Sequence, residues 1–156
     1  MTKVEIGEFD GMRSAAHMYH TSAVFLQDFS PIIQSLLIEK TTVDLNANII
    51  TAVVVYALSA EVAIKAILKC EDTPVPRQHD LKTLFEIMSE TNRDTIRLRL
   101  EGKYPDLDAV FENNKKIFVE WRYFYEGAQT VDVSFIRDLS LELGKLCDEL
   151  ATKQSH

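Results

Sequence analysis

The stretch from Ile49 to Leu68, IITAVVVYALSAEVAIKAIL, limits the fold more than any other part of the chain. Only Thr51, Ser59, Glu61 and Lys65 interrupt an otherwise apolar or small-residue run. Val53, Val54 and Val55 suit a strand, but the run is far too long for one, since strands usually end near six residues. As a helix it spans roughly 30 Å. A helix that is apolar on all sides is enclosed on all sides, so the run is expected to be the central helix of an all-α bundle. A transmembrane reading is disfavoured because Glu61 and Lys65 lie well inside the run, where each charge would cost about 2.5–3.5 kcal/mol in a bilayer.

The flanking sequence punctuates into further helices. A stripe of Met12, Ala15, Ala16, Tyr19, Ala23 and Leu26 recurs at steps of three and four. Ser30-Pro31 then predicts a break, a kink or a new helix, with Ile32, Ile33, Leu36 and Leu37 carrying the apolar face onward. Thr41, Thr42 and Asp44 offer caps for the central helix. The segment EDTPVPRQHD after Cys70 holds two prolines and must be a loop. Leu81, Leu84, Phe85 and Met88 mark a short helix. Thr91 or Asn92 is the expected cap of the next, which contains Ile96, Leu98 and Leu100. A long helix is expected from Asp106 through Tyr125, ended by Gly127. The last helix, capped by Asp132 or Ser134, repeats Ile136, Leu139, Leu143, Leu146 and Leu150 in strict three-four alternation, a seam for a neighbouring helix or a second copy. Residues 1–10 lack a pattern and are expected to fray or cover an edge. The sum is one all-α domain over residues 1–156, an up-and-down bundle of five or six helices.

Composition narrows the function classes. A net charge of −7 argues against a general polyanion binder. Arg93, Arg97, Arg99 and Lys103, with Lys115 and Lys116, could make a local basic face, but Asp94, Glu101 and Asp106 dilute it and a solvated surface is the plainer reading. Cys70 and Cys147 are too few for a disulfide scaffold and too far apart for a metal knuckle, and fit two reduced thiols in a cytoplasmic protein. No metal-ligand spacing, glycine-rich phosphate loop or other cofactor signature is present, so no metal and no cofactor is expected.

Three places carry chemistry. Glu61 and Lys65 are one turn apart with the acid first, the favourable order along a helix. They read either as a pair beside a ligand cleft or as a structural pair that fixes register. His79 opens the helix HDLKTLF and reads either as a base or as a packing residue in a turn. The segment WRYFYEG, Trp121 to Gly127, gathers Arg122, Tyr123, Tyr125 and Glu126; Arg122 suits bidentate phosphate binding or a structural bond to Glu126.

Taken in order, YALSAEVAIKAIL, HDLKTLFEIM and WRYFYEG resemble three stretches of the HEPN domain family, over roughly Leu45 to Gly127. The resemblance implies a helical bundle, commonly a homodimer with a cleft between subunits. Many relatives are metal-independent ribonucleases in toxin–antitoxin, abortive-infection or CRISPR-linked systems, often beside a minimal nucleotidyltransferase partner. Their site is an Arg followed by four to six residues and then a His, contributed by both subunits. Arg122 stands where that Arg belongs, but Gly127, Ala128 and Gln129 stand where the His should be. Loss of that proton carrier removes a contribution of about 10²–10⁴ in rate. Arg13 and His20 have the family spacing but lie on the first helix. The expectation is therefore an atypical, non-catalytic HEPN-like homodimer binding a partner protein, nucleotide or RNA in a defence setting. Its cleft would be formed by Glu61, Lys65, Arg122, Tyr123 and Tyr125, with His79 or Glu126 as substitute proton carriers. The enzyme alternative is a metal-independent ribonuclease using Arg122, and the plainest alternative is a structural helical adaptor.

Overall fold

The computed structural model describes the backbone of residues 8–36, 42–117 and 132–154, and the side chains of residues 8–28, 51–117 and 132–154. Among these, six helices and no strand occur: α1 (Glu8–Leu36), α2 (Thr42–Cys70), α3 (Leu81–Ile87), α4 (Glu90–Leu100), α5 (Leu107–Asn114) and α6 (Val133–Gln154). The protein is an all-α helical bundle.

The apolar run sits at its centre, as its composition demands. Ala52, Val53, Tyr56, Ala57, Ala60, Ala63, Ile64, Ala66, Ile67 and Leu68 of α2 are all fully buried. The stretch Thr51–Cys70 has the length and hydropathy of a membrane span, but two-thirds of its window is buried within the protein, as in the core helix of a soluble bundle. Its alanines let neighbours approach closely. On one side Ser59 Oγ donates 2.7 Å to the main-chain carbonyl of Ala16, with Ala16 and Ala23 of α1 packed against α2. On another, the Cys147 thiol of α6 reaches the Ala63 carbonyl at 3.5 Å. Helices meet at this range only where side chains at the crossing are small. The seam of α6 belongs to this core: Ile136, Leu139, Leu143 and Leu146 are buried, and Leu150 packs on the core's edge. Aromatic rings tie the short helices to it. Phe85 stacks on Phe111 (4.6 Å between centroids), and Phe135 meets Phe111 and Tyr104 edge-on.

Several expectations about boundaries need correction. The α1 helix runs through Pro31 to Leu36 with no new element. One proline removes one backbone bond, and α1 has α2 alongside to offset that loss. Tyr19, placed on the inner stripe by spacing, is exposed. The α4 helix is capped by Ser89, not Thr91 or Asn92: Ser89 Oγ accepts from Asn92 N, and Asn92 is itself buried. The helix expected from Asp106 begins there, with Asp106 as its cap, but α5 ends at Asn114 and turns at Lys115. Asn114 Oδ1 accepts from the backbone of Asp132, and Asp132 caps α6 through Phe135 N. Residues 8–10, read as patternless, are already helical.

The end of α2 sets the path of the loop that follows it. Thr73 N bonds Leu68 O and Asp72 N bonds Lys69 O, with Asp72 at φ 54°. This is a Schellman stop, with aspartate in the left-handed position that glycine usually fills. Next to it, Glu71 accepts from Ser89 N, Ser89 Oγ and Asn92 Nδ2 at 3.1, 2.7 and 2.6 Å, joining the end of α2 to the start of α4. Glu71→Ala leaves those donors without their carboxylate. It is expected to cost about 2 kcal/mol in urea unfolding; an unchanged midpoint would show that the link carries no weight.

Candidate functional site

Glu61 faces inward from the middle of α2, and its side chain is only 4% exposed. A carboxylate at that depth needs partners. One is Lys65, a helical turn along, whose Nζ donates 2.7 Å to Oε1. The other comes from outside the helix: His79 Nδ1 lies 3.0 Å from both carboxylate oxygens. The loop delivers His79 there by construction. The Schellman stop reverses the chain and Pro74 and Pro76 stiffen its return. Asp80 then caps α3 through Thr83 N at 2.9 Å, and Leu81 N bonds Lys115 O at 2.8 Å.

The arrangement settles a tautomer. A carboxylate accepts and does not donate, so the proton between Glu61 and His79 sits on Nδ1. In the neutral ring the lone pair is then on Nε2, on an imidazole that remains 49% exposed. An imidazole oriented by a buried carboxylate can bind a donor group or accept a proton in a fixed direction. Lys65, at 16% exposure, brings a positive charge to the same carboxylate through Oε1.

Three residues named from the sequence, Glu61, Lys65 and His79, are thus brought into one cluster. Arg122, Tyr123, Tyr125 and Glu126 lie outside the described residues. On the near side of that segment Lys115 O accepts from Leu81 N of α3, and on the far side Asp132 N bonds Asn114 at the end of α5. The basic positions of α4 do not form an open cationic face. Arg93 donates to the Glu86 carbonyl, Arg97 pairs with Asp108, Arg99 with Glu149 and Glu142, and Lys103 with Asp138. Asp138 was not singled out from the sequence; it is nearly buried and also accepts from Tyr104 at 3.1 Å. Burial raises its pKa, but the bonds from Lys103 and Tyr104 outweigh this and hold the carboxyl below its ordinary value. Only its partners, far along the chain, mark it out.

Arg13 and His20 do not act as a pair. Arg13 binds Asp148 at 2.9 Å and Asp10 at 3.3 Å, while His20 Nδ1 contacts Ser140 Oγ at 2.7 Å. Between them His17 binds Asp148 and lies over Gly144, where an added Cβ would meet its ring at 3.1 Å. These contacts form the seam between α1 and α6. The Ser140 hydroxyl donates to the Arg137 carbonyl, so His20 must donate from Nδ1.

Two outcomes follow. Lys65→Met strands a buried carboxylate with a single partner and is expected to cost about 3 kcal/mol, whereas Glu61→Leu with Lys65→Met should regain most of it; equal stability of wild type and Lys65→Met in urea would refute the buried-pair account. For His20, burial foremost, then His17 and Arg137, lower the pKa from 6.5. The unfolded chain therefore takes up its proton first as pH falls. The stability held above pH 6.5 should decline below it, and His20→Gln should flatten that part of the profile of melting temperature against pH.

No protein-family model matches the chain, and no curated protein and no solved structure matches it either.

Proposed function

We propose that the chain is an atypical, non-catalytic HEPN-like domain. On this reading it works in the cytoplasm as a homodimeric binding module for a partner protein, a nucleotide or RNA in a toxin–antitoxin or phage-defence system. The observation that carries the reading is the contact of His79 with Glu61 and Lys65. These residues come from two of the three stretches on which the resemblance rests, and they are separate in sequence. A structural ion pair needs no third member from a loop, still less one half open to solvent.

One feature favours a second reading, a metal-independent ribonuclease using Arg122 with a non-standard proton carrier. The Glu61-held imidazole has the orientation that a general base requires, and could take the place of the missing histidine.

A single assay separates the two. Fluorescently labelled single-stranded RNA is incubated with the protein in excess EDTA, and both anisotropy and chain length are followed. The binding module is expected to raise anisotropy and leave the RNA intact, with His79→Ala and Arg122→Ala each weakening binding about tenfold, the loss of one charge-assisted hydrogen bond. Cleavage lost by about 10²–10⁴ in either variant would establish the enzyme instead. Neither binding nor cleavage of RNA, nor binding of labelled ATP in the same format, would leave the polar cluster a structural element only.

A further inference from the structure

The α4 helix buries one side only. Asn92, Ile96 and Leu100 face the core, while Glu90, Thr91, Asp94 and Leu98, with the C-cap Glu101, stand exposed on the other side. Leu98 is 70% exposed. A lone leucine in water is ordinary, but the charge around this one is sorted. Each arginine of the helix is turned aside and engaged. Arg93 donates to the Glu86 carbonyl, Arg97 binds Asp108 and lies 5.9 Å from the Phe85 ring centroid, and Arg99 binds Glu149. Glu90, Asp94 and Glu101 take no ion-pair partner among the described residues. At the C-terminal end of this face Arg97, Glu101, Tyr104, Asp106, Leu107 and Asp108 line a hollow of about 250 Å³. It gathers three carboxylates and one guanidinium, and that guanidinium is already bound to Asp108.

We infer that this face docks a basic amphipathic helix of a partner protein, with Leu98 against an apolar side chain and the hollow beside Glu101 taking a Lys or Arg head. The inference gives the partner-protein form of the binding-module reading a surface and a chemistry, and it uses no residue of the His79 cluster. Charge selects the occupant. A cationic partner meets acceptors that no cation of this chain has taken. RNA would set phosphate against carboxylate here, and a second copy turning the same face would set carboxylate against carboxylate. A small amine would fill the hollow but leave Leu98 in water.

Spacing selects the form of the partner. Asp94, Leu98 and Glu101 follow one another at steps of four and three, and Glu101 keeps helical backbone angles, so the three make one stripe. Its two carboxylates are roughly 10 Å apart along the axis. A helix laid along the stripe repeats at the same steps, so its cations meet Asp94 and Glu101 while the apolar residue between them meets Leu98. In an extended chain, residues three apart span a similar distance but point to opposite sides, and only one of the two cations would reach the surface.

The test is fluorescence anisotropy of the full chain with a labelled synthetic helix whose leucine stripe is flanked by lysines. A copy with glutamates in place of the lysines, and lysine homopolymer, serve as the comparison probes. The lysine helix is expected to bind with a dissociation constant on the order of 10 μM, more weakly as salt is raised, and the glutamate copy not to bind. Leu98→Ser and Glu101→Lys should each weaken binding about tenfold. Met18→Ser, at an equally exposed apolar position of α1, should leave it unchanged. The glutamate copy keeps the test on wild-type protein if a variant does not fold. No binding of the lysine helix at low salt overturns the inference, as does equal binding of the glutamate copy or binding that both α4 variants leave intact. Homopolymer binding as tightly as the helix would show attraction to charge alone and overturn it too. A change in sedimentation of the chain alone on Glu101→Lys would give the face to a second copy instead. The RNA assay with His79→Ala reads the other cluster, so failure there and failure here are told apart.

Discussion

A carboxylate held inside the central helix imposes the constraint on which the rest of the molecule depends. An all-round apolar helix can pack at many rotations with little difference in free energy, because any face it turns inward is acceptable. Glu61 removes that freedom. Lys65 pairs with it within the helix, and His79 joins it only from the loop before α3. The rotation of α2 and the course of residues 71–80 are therefore one decision. A buried polar group often adds specificity more than stability, as a single polar residue does in the seam of a coiled coil. Here the specificity concerns where a half-exposed imidazole points.

The same pairing of imidazole and carboxylate occurs between α1 and α6, with a different weight. Asp148 joins Arg13 to His17, but its side chain is 50% exposed and His17 is 42% exposed. Solvent screens such a group, and pairs of this kind contribute little. The α1–α6 seam holds instead by close approach at Gly144 and by the buried Ser140 with its His20 contact. Two clusters of similar chemistry thus differ in consequence because one carboxylate has lost its water and the other has kept it.

The elements of the fold were legible in the sequence wherever a local physical rule decides the outcome. The apolar run, the proline loop, the capping role of Asp132 and the leucine seam of α6 all depend on residues within a few positions of one another. Glu61 and Lys65 were legible as a pair for the same reason. The joining of His79 to them was suggested only by resemblance, since eighteen residues separate it from Glu61 and no periodicity spans a loop. Ser89 was passed over as a cap because Thr91 and Asn92 are equally good cappers; Glu71, across the turn, makes the choice by bonding Ser89 and Asn92 together. At Pro31 neither the break nor the new helix occurs. The local rule counts the missing hydrogen bond and cannot count the neighbouring helix that offsets it. The α4 arginines read as a solvated surface diluted by nearby acids, but the partners they actually take, such as Glu149 for Arg99, lie far along the chain.

The α1 and α6 seams show what periodicity alone leaves undecided. Both repeat at three and four, the spacing by which a helix finds a partner, and nothing in the spacing says whether that partner is inside the same chain. Side-chain size and hydrophobicity decide. The α6 seam is a row of Ile and Leu, whose exposure would cost about 1.5–3 kcal/mol for each side chain, so it is drawn into the core against α2. The α1 seam, Ser14, Met18, Thr21 and Phe25, alternates large apolar with small polar residues. Left in water it costs much less, and the monomer can fold with it exposed. An arrangement of that kind does not drive the chain's own collapse.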